Sequence, residues 1–95
     1  MKLPITITYN SGEQQLLVAQ PPEWAKWEKQ TGHPATQWNE VAGVWDILFM
    51  AYNTLKREAG GQPVKPFEAW MDTVADFETG LSNPKAISQE ASADS

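Results

Sequence analysis

The chain begins with a strict alternation of apolar and polar positions. Leu3, Ile5, Ile7 and Tyr9 fall on one side of an extended segment, and Pro4, Thr6 and Thr8 on the other. A period of two with β-branched residues predicts a half-buried strand over 3–9. Asn10-Ser11-Gly12-Glu13 is a turn cluster in which Gly12 can take a positive φ, and residues 14–19 can return as a second strand. Residues 3–19 are therefore expected to form a hairpin. Pro4 has no amide to donate, which places a free edge of the first strand there. A hairpin alone is marginal in water and needs a surface to pack on.

Beyond Pro21-Pro22 the period lengthens to that of a helix. Proline suits a first helical turn, where its missing amide would have no partner. Residues 22–30 then form a short helix with Trp24 and Trp27 on one face, stopped by Gly32 and Pro34. Thr36 is positioned to cap a main helix over 37–59. Its stripe is Val41, Val44, Trp45, Leu48, Tyr52 and Leu55, which Ile47, Phe49, Met50 and Ala51 widen until the helix is apolar nearly all round. A helix of that kind is central in its domain or covered by a partner. Gly43 inside it costs about 1 kcal/mol relative to alanine, for which close packing is a reason. Lys56 and Arg57 suit the final turn, and Gly60-Gly61 ends it. Pro66 opens a third helix over 66–79 with an amphipathic stripe of Phe67, Trp70, Met71, Val74 and Phe77. Residues 81–95 are Ser/Ala-rich, lack aromatics and have no sustained period, so a flexible tail is expected. The pattern predicts an α+β domain over 1–80, a hairpin packed beside three helices.

Composition narrows what such a domain can do. Five Trp, three Phe and two Tyr in 95 residues give a small core large anchors, since each buried ring removes roughly 150–250 Å² from water. No cysteine is present, which excludes disulfides, thiolate metal sites and a cysteine nucleophile. His33 is the one histidine and lies in a loop between Gly32 and Pro34, so neither a zinc site nor a Ser-His-Asp arrangement can be assembled. Gly60-Gly61 lacks the following residues of a phosphate loop. No cofactor and no metal are expected. Neither a signal peptide nor a run of about 18 apolar residues is seen, so a cytoplasmic protein without membrane contact is expected.

Charge is distributed unevenly. Residues 1–65 carry six basic and six acidic side chains; residues 66–95 carry Lys85 against six acids, which accounts for the whole net charge of −5. A chain of this balance without a basic stripe is a poor ligand for phosphate backbones, and no nucleic-acid partner is expected. On the third helix Glu68, Asp72 and Asp76 recur at i, i+4 and i+8 and would share one face. A solvated face accounts for them, and paired carboxylates also leave a small hydrolase open. Yet like charges at this spacing destabilise a helix, and no Lys or Arg interrupts them, which suits a surface that meets a basic partner. Trp38, between Gln37 and Asn39, has two readings. It caps the core against Trp24 or Trp27, or it is an exposed anchor of the kind enriched at interfaces. With Phe49 and Trp70, these four residues complete the candidate partner-binding set: Trp38, Phe49, Trp70, Glu68, Asp72 and Asp76. Binding protein rather than enzyme is the class this set supports.

The order of elements and two stretches of wording resemble the small tail assembly chaperones of long-tailed bacteriophages. After the hairpin comes Glu23-Trp24-Ala25-Lys26-Trp27-Glu28-Lys29, then a helix ending Ala51-Tyr52-Asn53-Thr54-Leu55-Lys56-Arg57-Glu58-Ala59-Gly60. After the connector comes Pro66-Phe67-Glu68-Ala69-Trp70-Met71-Asp72-Thr73-Val74-Ala75-Asp76-Phe77-Glu78, so the resemblance spans about residues 3–79. It implies a protein that, in the host cytoplasm, binds the long helical tape measure protein and keeps it soluble while tail tube subunits are recruited. It also implies absence from the mature virion and a longer form made by ribosomal frameshifting. Asn83-Pro84-Lys85 can be encoded with a slippery heptamer in the region where such a shift is expected. The residues leave a homo-oligomer open, and an unrelated acidic adaptor or structural phage component is the alternative reading.

Overall fold

A computed structural model describes residues 2–80; the expected tail over 81–95, including 83–85, lies outside the described residues. The domain is α+β. Strands β1 (Leu3–Tyr9) and β2 (Gln14–Ala19) form the hairpin, with Gly12 at φ 94° in its turn. Helix α1 (Pro21–Thr31) follows. A single 3-10 turn at Ala35–Gln37 leads into α2 (Trp38–Val41), and α3 (Val44–Ala59) is the long helix. A short α4 (Phe67–Met71) precedes β3 (Val74–Thr79), which pairs antiparallel with β1 to give the sheet order β2-β1-β3.

The third helix expected over 66–79 is thus a five-residue helix and a strand. The cause is a bulge. β1 pairs Thr8 with Asp76 but Tyr9 with Val74, so Ala75 is inserted as an extra residue in β3. The insertion sets Val74 and Phe77, opposite Tyr9 and Ile7, three residues apart on one side of the sheet. That spacing imitates a helical stripe. The end of α4 is fixed by competing bonds: Thr73 Oγ1 donates to Trp70 O, while the Asn10 amide and side chain donate to Thr73 O and Asp72 O. Asp76, on the strand, no longer follows Asp72 at i+4 of a helix, whereas Glu68 and Asp72 keep that spacing across α4. Pro4 does not mark a free edge either, because β1 is the central strand. Pro4 O accepts from Gly80 N at the last rung of the β1–β3 ladder, so the missing amide falls where β3 ends.

The main helix is likewise divided. Ala42 is extended and Gly43 (φ −124°, ψ −165°) is the N-cap of α3. Asp46 at the third position of α3 accepts from Gly43 N at 2.8 Å. Gly43 is not held by close packing, since an added Cβ would meet only Asp46 Oδ2, at 3.8 Å.

The helices cover one face of the sheet. Ile5, Ile7, Leu17 and Ala19 point inward against Trp24 and Trp27 of α1 and Leu48, Met50, Ala51 and Tyr52 of α3. From Met50 to Thr54 every residue of α3 is buried, so this stretch of the helix is central in the domain. Asn53 and Thr54 return hydrogen bonds to Phe49 O and Met50 O and so bury no unpaired polar atom. Glu23 is fully buried at the start of α1. It accepts from Gln20 N and from Arg57 Nε, both at 2.9 Å, and Arg57 also reaches Val18 O. One ion pair therefore ties α1, α3 and the β2 edge together. The hydrogen bond to Glu23 raises the guanidinium pKa of Arg57 above its ordinary value, against an opposing desolvation.

Candidate functional site

Each of the six candidate residues has a distinct place. Trp38 stands edge-on to Trp24 and Trp27 at 5.0 and 5.1 Å between ring centroids, and Trp24 stands edge-on to Trp27 at 6.2 Å. Three indoles thus interlock between α1 and α2. Trp27 Nε1 donates to Asp46 Oδ1 at 2.8 Å, and His33 stacks on the outer side of Trp27. Trp38 is half-buried in this cluster, which is its core-capping role. Trp70 is buried and belongs to the core, with Nε1 donating to Tyr9 Oη and its ring packed against Tyr52. The three acids do not share a face. Glu68 is in the first turn of α4, Asp72 caps its end, and Asp76 is on β3; all three are exposed.

Phe49 leads to a surface that the hydrophobic pattern hides. Its half-buried ring stacks on Trp45 at 4.9 Å and 20°, and both rings stand edge-on to Phe67 of α4. Phe67 continues to Tyr52 at 5.1 Å, Tyr52 to Trp70, and Trp70 to Tyr9. The result is a continuous run of aromatic rings from the hairpin, through the core, to the surface. At its outer end Trp45 is 42% exposed, beside Val44 at 61% and Val41 at 39%. Three of the four large apolar side chains most exposed among the described residues therefore cluster at the α2–α3 joint, the fourth being Leu16 on β2.

This cluster was legible only in part. A continuous helix would put Val41, Val44 and Trp45 on the buried stripe with Leu48 and Tyr52. The break at Ala42-Gly43 takes Val41 off the stripe; Val44 and Trp45 keep their phase with Leu48 and Tyr52 but stand in the first turn of α3, where they are exposed. The signal that marks it is Gly43 followed three residues later by Asp46, an N-terminal capping arrangement inside the apparent helix.

A second feature is an open groove of about 600 Å³ at the hairpin end, floored by Tyr9, Leu55, Val64 and Trp70 and rimmed by Lys65 and Asp72. Tyr52 Oη donates to Lys65 O and fixes the loop that forms one wall. Tyr9 Oη is already engaged with Gln15 and Trp70, so the floor presents rings rather than free polar groups. Among the described residues no cluster of three or more His, Asp or Glu could hold a metal, and no helix is long and apolar enough to cross a membrane. The chemistry this surface offers is apolar contact, with carboxylates at its margins.

No protein family model, characterised relative or solved structure matches the chain.

Proposed function

We propose that this chain is a protein-binding module rather than an enzyme, and that its client is a long apolar helix. More particularly, it acts as a tail assembly chaperone of a long-tailed bacteriophage. In that role it binds the tape measure protein in the host cytoplasm and keeps it soluble while tail tube subunits are recruited, and it is left out of the finished virion. The resemblance over residues 3–79 supplies the identity of the client. The observation that carries the binding is the outward-facing cluster of Val41, Val44 and Trp45 on a firm aromatic base of Phe49 and Phe67. Monomeric proteins rarely leave contiguous apolar surface of this kind without use, and a rigid Trp backed by rings loses little side-chain entropy on binding.

The geometry fits an amphipathic helix laid across the α2–α3 joint, with apolar side chains at i, i+3 and i+4 meeting Trp45 and the two valines. Co-expression with the tape measure protein tests it. The chain is expected to shift that protein from the pellet to the supernatant and to co-purify with it, and Trp45→Ala is expected to abolish both. A client equally insoluble with and without the chain overturns the proposal.

A further inference from the structure

The sheet has two edges, and they are treated differently. At the β2 edge Val18 O accepts from Arg57 Nη2, and Gln20 N donates to Glu23 Oε1, so side chains from α1 and α3 close its distal end. At the β3 edge no such closure exists among the described residues. Gly80 N donates to Pro4 O, so within the ladder Asp76, Glu78 and Gly80 turn their main-chain groups toward β1. Phe77 and Thr79 therefore turn theirs outward. The Phe77 amide is occupied by Asp76 Oδ1 at 2.8 Å, which leaves Phe77 O and both main-chain groups of Thr79 facing the open side.

The side chains along this edge have a definite pattern. Asp76 and Glu78 are exposed on the face away from the helices, and Phe77 is half-buried on the inner face. No basic residue lies between Pro66 and Gly80. This decides what can pair there. Two copies of β3 paired antiparallel about Phe77 would set Asp76 opposite Glu78 twice, and pairing about Glu78 would set Glu78 opposite itself. Like charges directly opposed are destabilising, so the acids disfavour pairing of this edge with the β3 edge of a second copy. A strand with Lys or Arg at alternate positions would instead place a cation across from each acid. Its intervening apolar residues would extend the inner face beside Phe77.

We infer that the β3 edge is a docking site for an extended cationic segment of another protein, which adds to the sheet as a fourth strand with Lys or Arg facing Asp76 and Glu78. This site is separate from the Trp45 surface and does not depend on the identity of the client there. The acids and the bulge that guard the edge against self-pairing also select its occupant.

The test is titration of the isotope-labelled full chain with a capped nine-residue peptide alternating lysine and valine. The largest amide shifts are expected at Phe77 and Thr79, with exchange of the Thr79 amide slowed on binding. Thr79→Pro deletes an outward amide without touching the β1 ladder, and is expected to weaken binding at least tenfold while far-UV circular dichroism is unchanged. Asp76→Lys with Glu78→Lys is expected to weaken it as much and to confer binding of the glutamate–valine counterpart. The inference is overturned if a helix-forming lysine–alanine peptide of equal charge binds as well, because the contact is then electrostatic alone. It is equally overturned if the wild-type Thr79 amide exchanges at the same rate with and without the lysine–valine peptide.

Discussion

Trp27→Phe tests how the N-terminal half of the helical layer is held. The Trp27 side chain is fully buried between α1, α2 and α3, and its indole nitrogen reaches Asp46 at the start of α3. Phenylalanine keeps one ring and removes two ring carbons, worth about 0.8 kcal/mol each when buried. It also removes a hydrogen bond to a carboxylate, worth roughly 1.5–3 kcal/mol, and the lower end applies because Asp46 is only part-buried. The expected loss is about 3 kcal/mol, a large share of the roughly 5–15 kcal/mol that holds a domain together. For a domain of this size it lowers the melting temperature by roughly 12–24 °C. Urea and thermal unfolding followed by far-UV circular dichroism measure it without relying on the altered fluorophore. Asp46→Ala and the double variant complete a cycle, whose coupling should be about 1–2 kcal/mol. A loss below about 1 kcal/mol, or no coupling, refutes the view that this bond anchors α1 to α3.

Gly43→Ala separates a divided helix from a continuous one. Mid-helix it would stabilise by about 1 kcal/mol, whereas at an extended N-cap it should give no gain in the same unfolding assay. Glu23→Ala removes a buried carboxylate that accepts from Arg57 and from Gln20 N; because Arg57 stays solvated, the loss by urea unfolding should be that of the hydrogen bonds, roughly 1.5–3 kcal/mol. Glu78→Pro deletes an amide that faces β1 and should destabilise by about 3 kcal/mol or more, while Thr79→Pro should stay within about 0.5 kcal/mol. A single long helix over 66–79 would make the two prolines equally damaging.

The parts of the fold that were legible in sequence are those where a local period matches the tertiary environment. β1 alternates cleanly because one side faces the core. α1 announces itself through Pro21-Pro22 and Gly32, and the stripe of α3 widened by Ile47, Phe49, Met50 and Ala51 marks a helix that is central or covered, of which the structure shows the first. The failures come from single inserted or extended residues. Ala75 gives a strand the spacing of a helix, and Gly43 divides a helix, so that Val41 leaves the stripe and Val44 and Trp45 fall in an exposed first turn. Both are local backbone events whose effect on which side chains meet is long-range. Of the candidate residues, Trp38 and Trp70 lie in packed clusters, and Phe49 is the one that leads to the exposed ladder. Trp45, the exposed end of that ladder, was concealed because its spacing from Leu48 and Tyr52 is that of a core residue.

The most direct test of the binding surface compares Trp45→Ala with the unaltered chain in two measurements on the same preparations. Trp45 is part-exposed and makes no side-chain hydrogen bond among the described residues, so urea unfolding should shift by less than about 1 kcal/mol. Affinity for the tape measure protein, measured by calorimetry or by co-purified yield, should fall at least tenfold. Unchanged affinity at unchanged stability contradicts the account, because the aromatic ladder would then end at a surface that binds nothing.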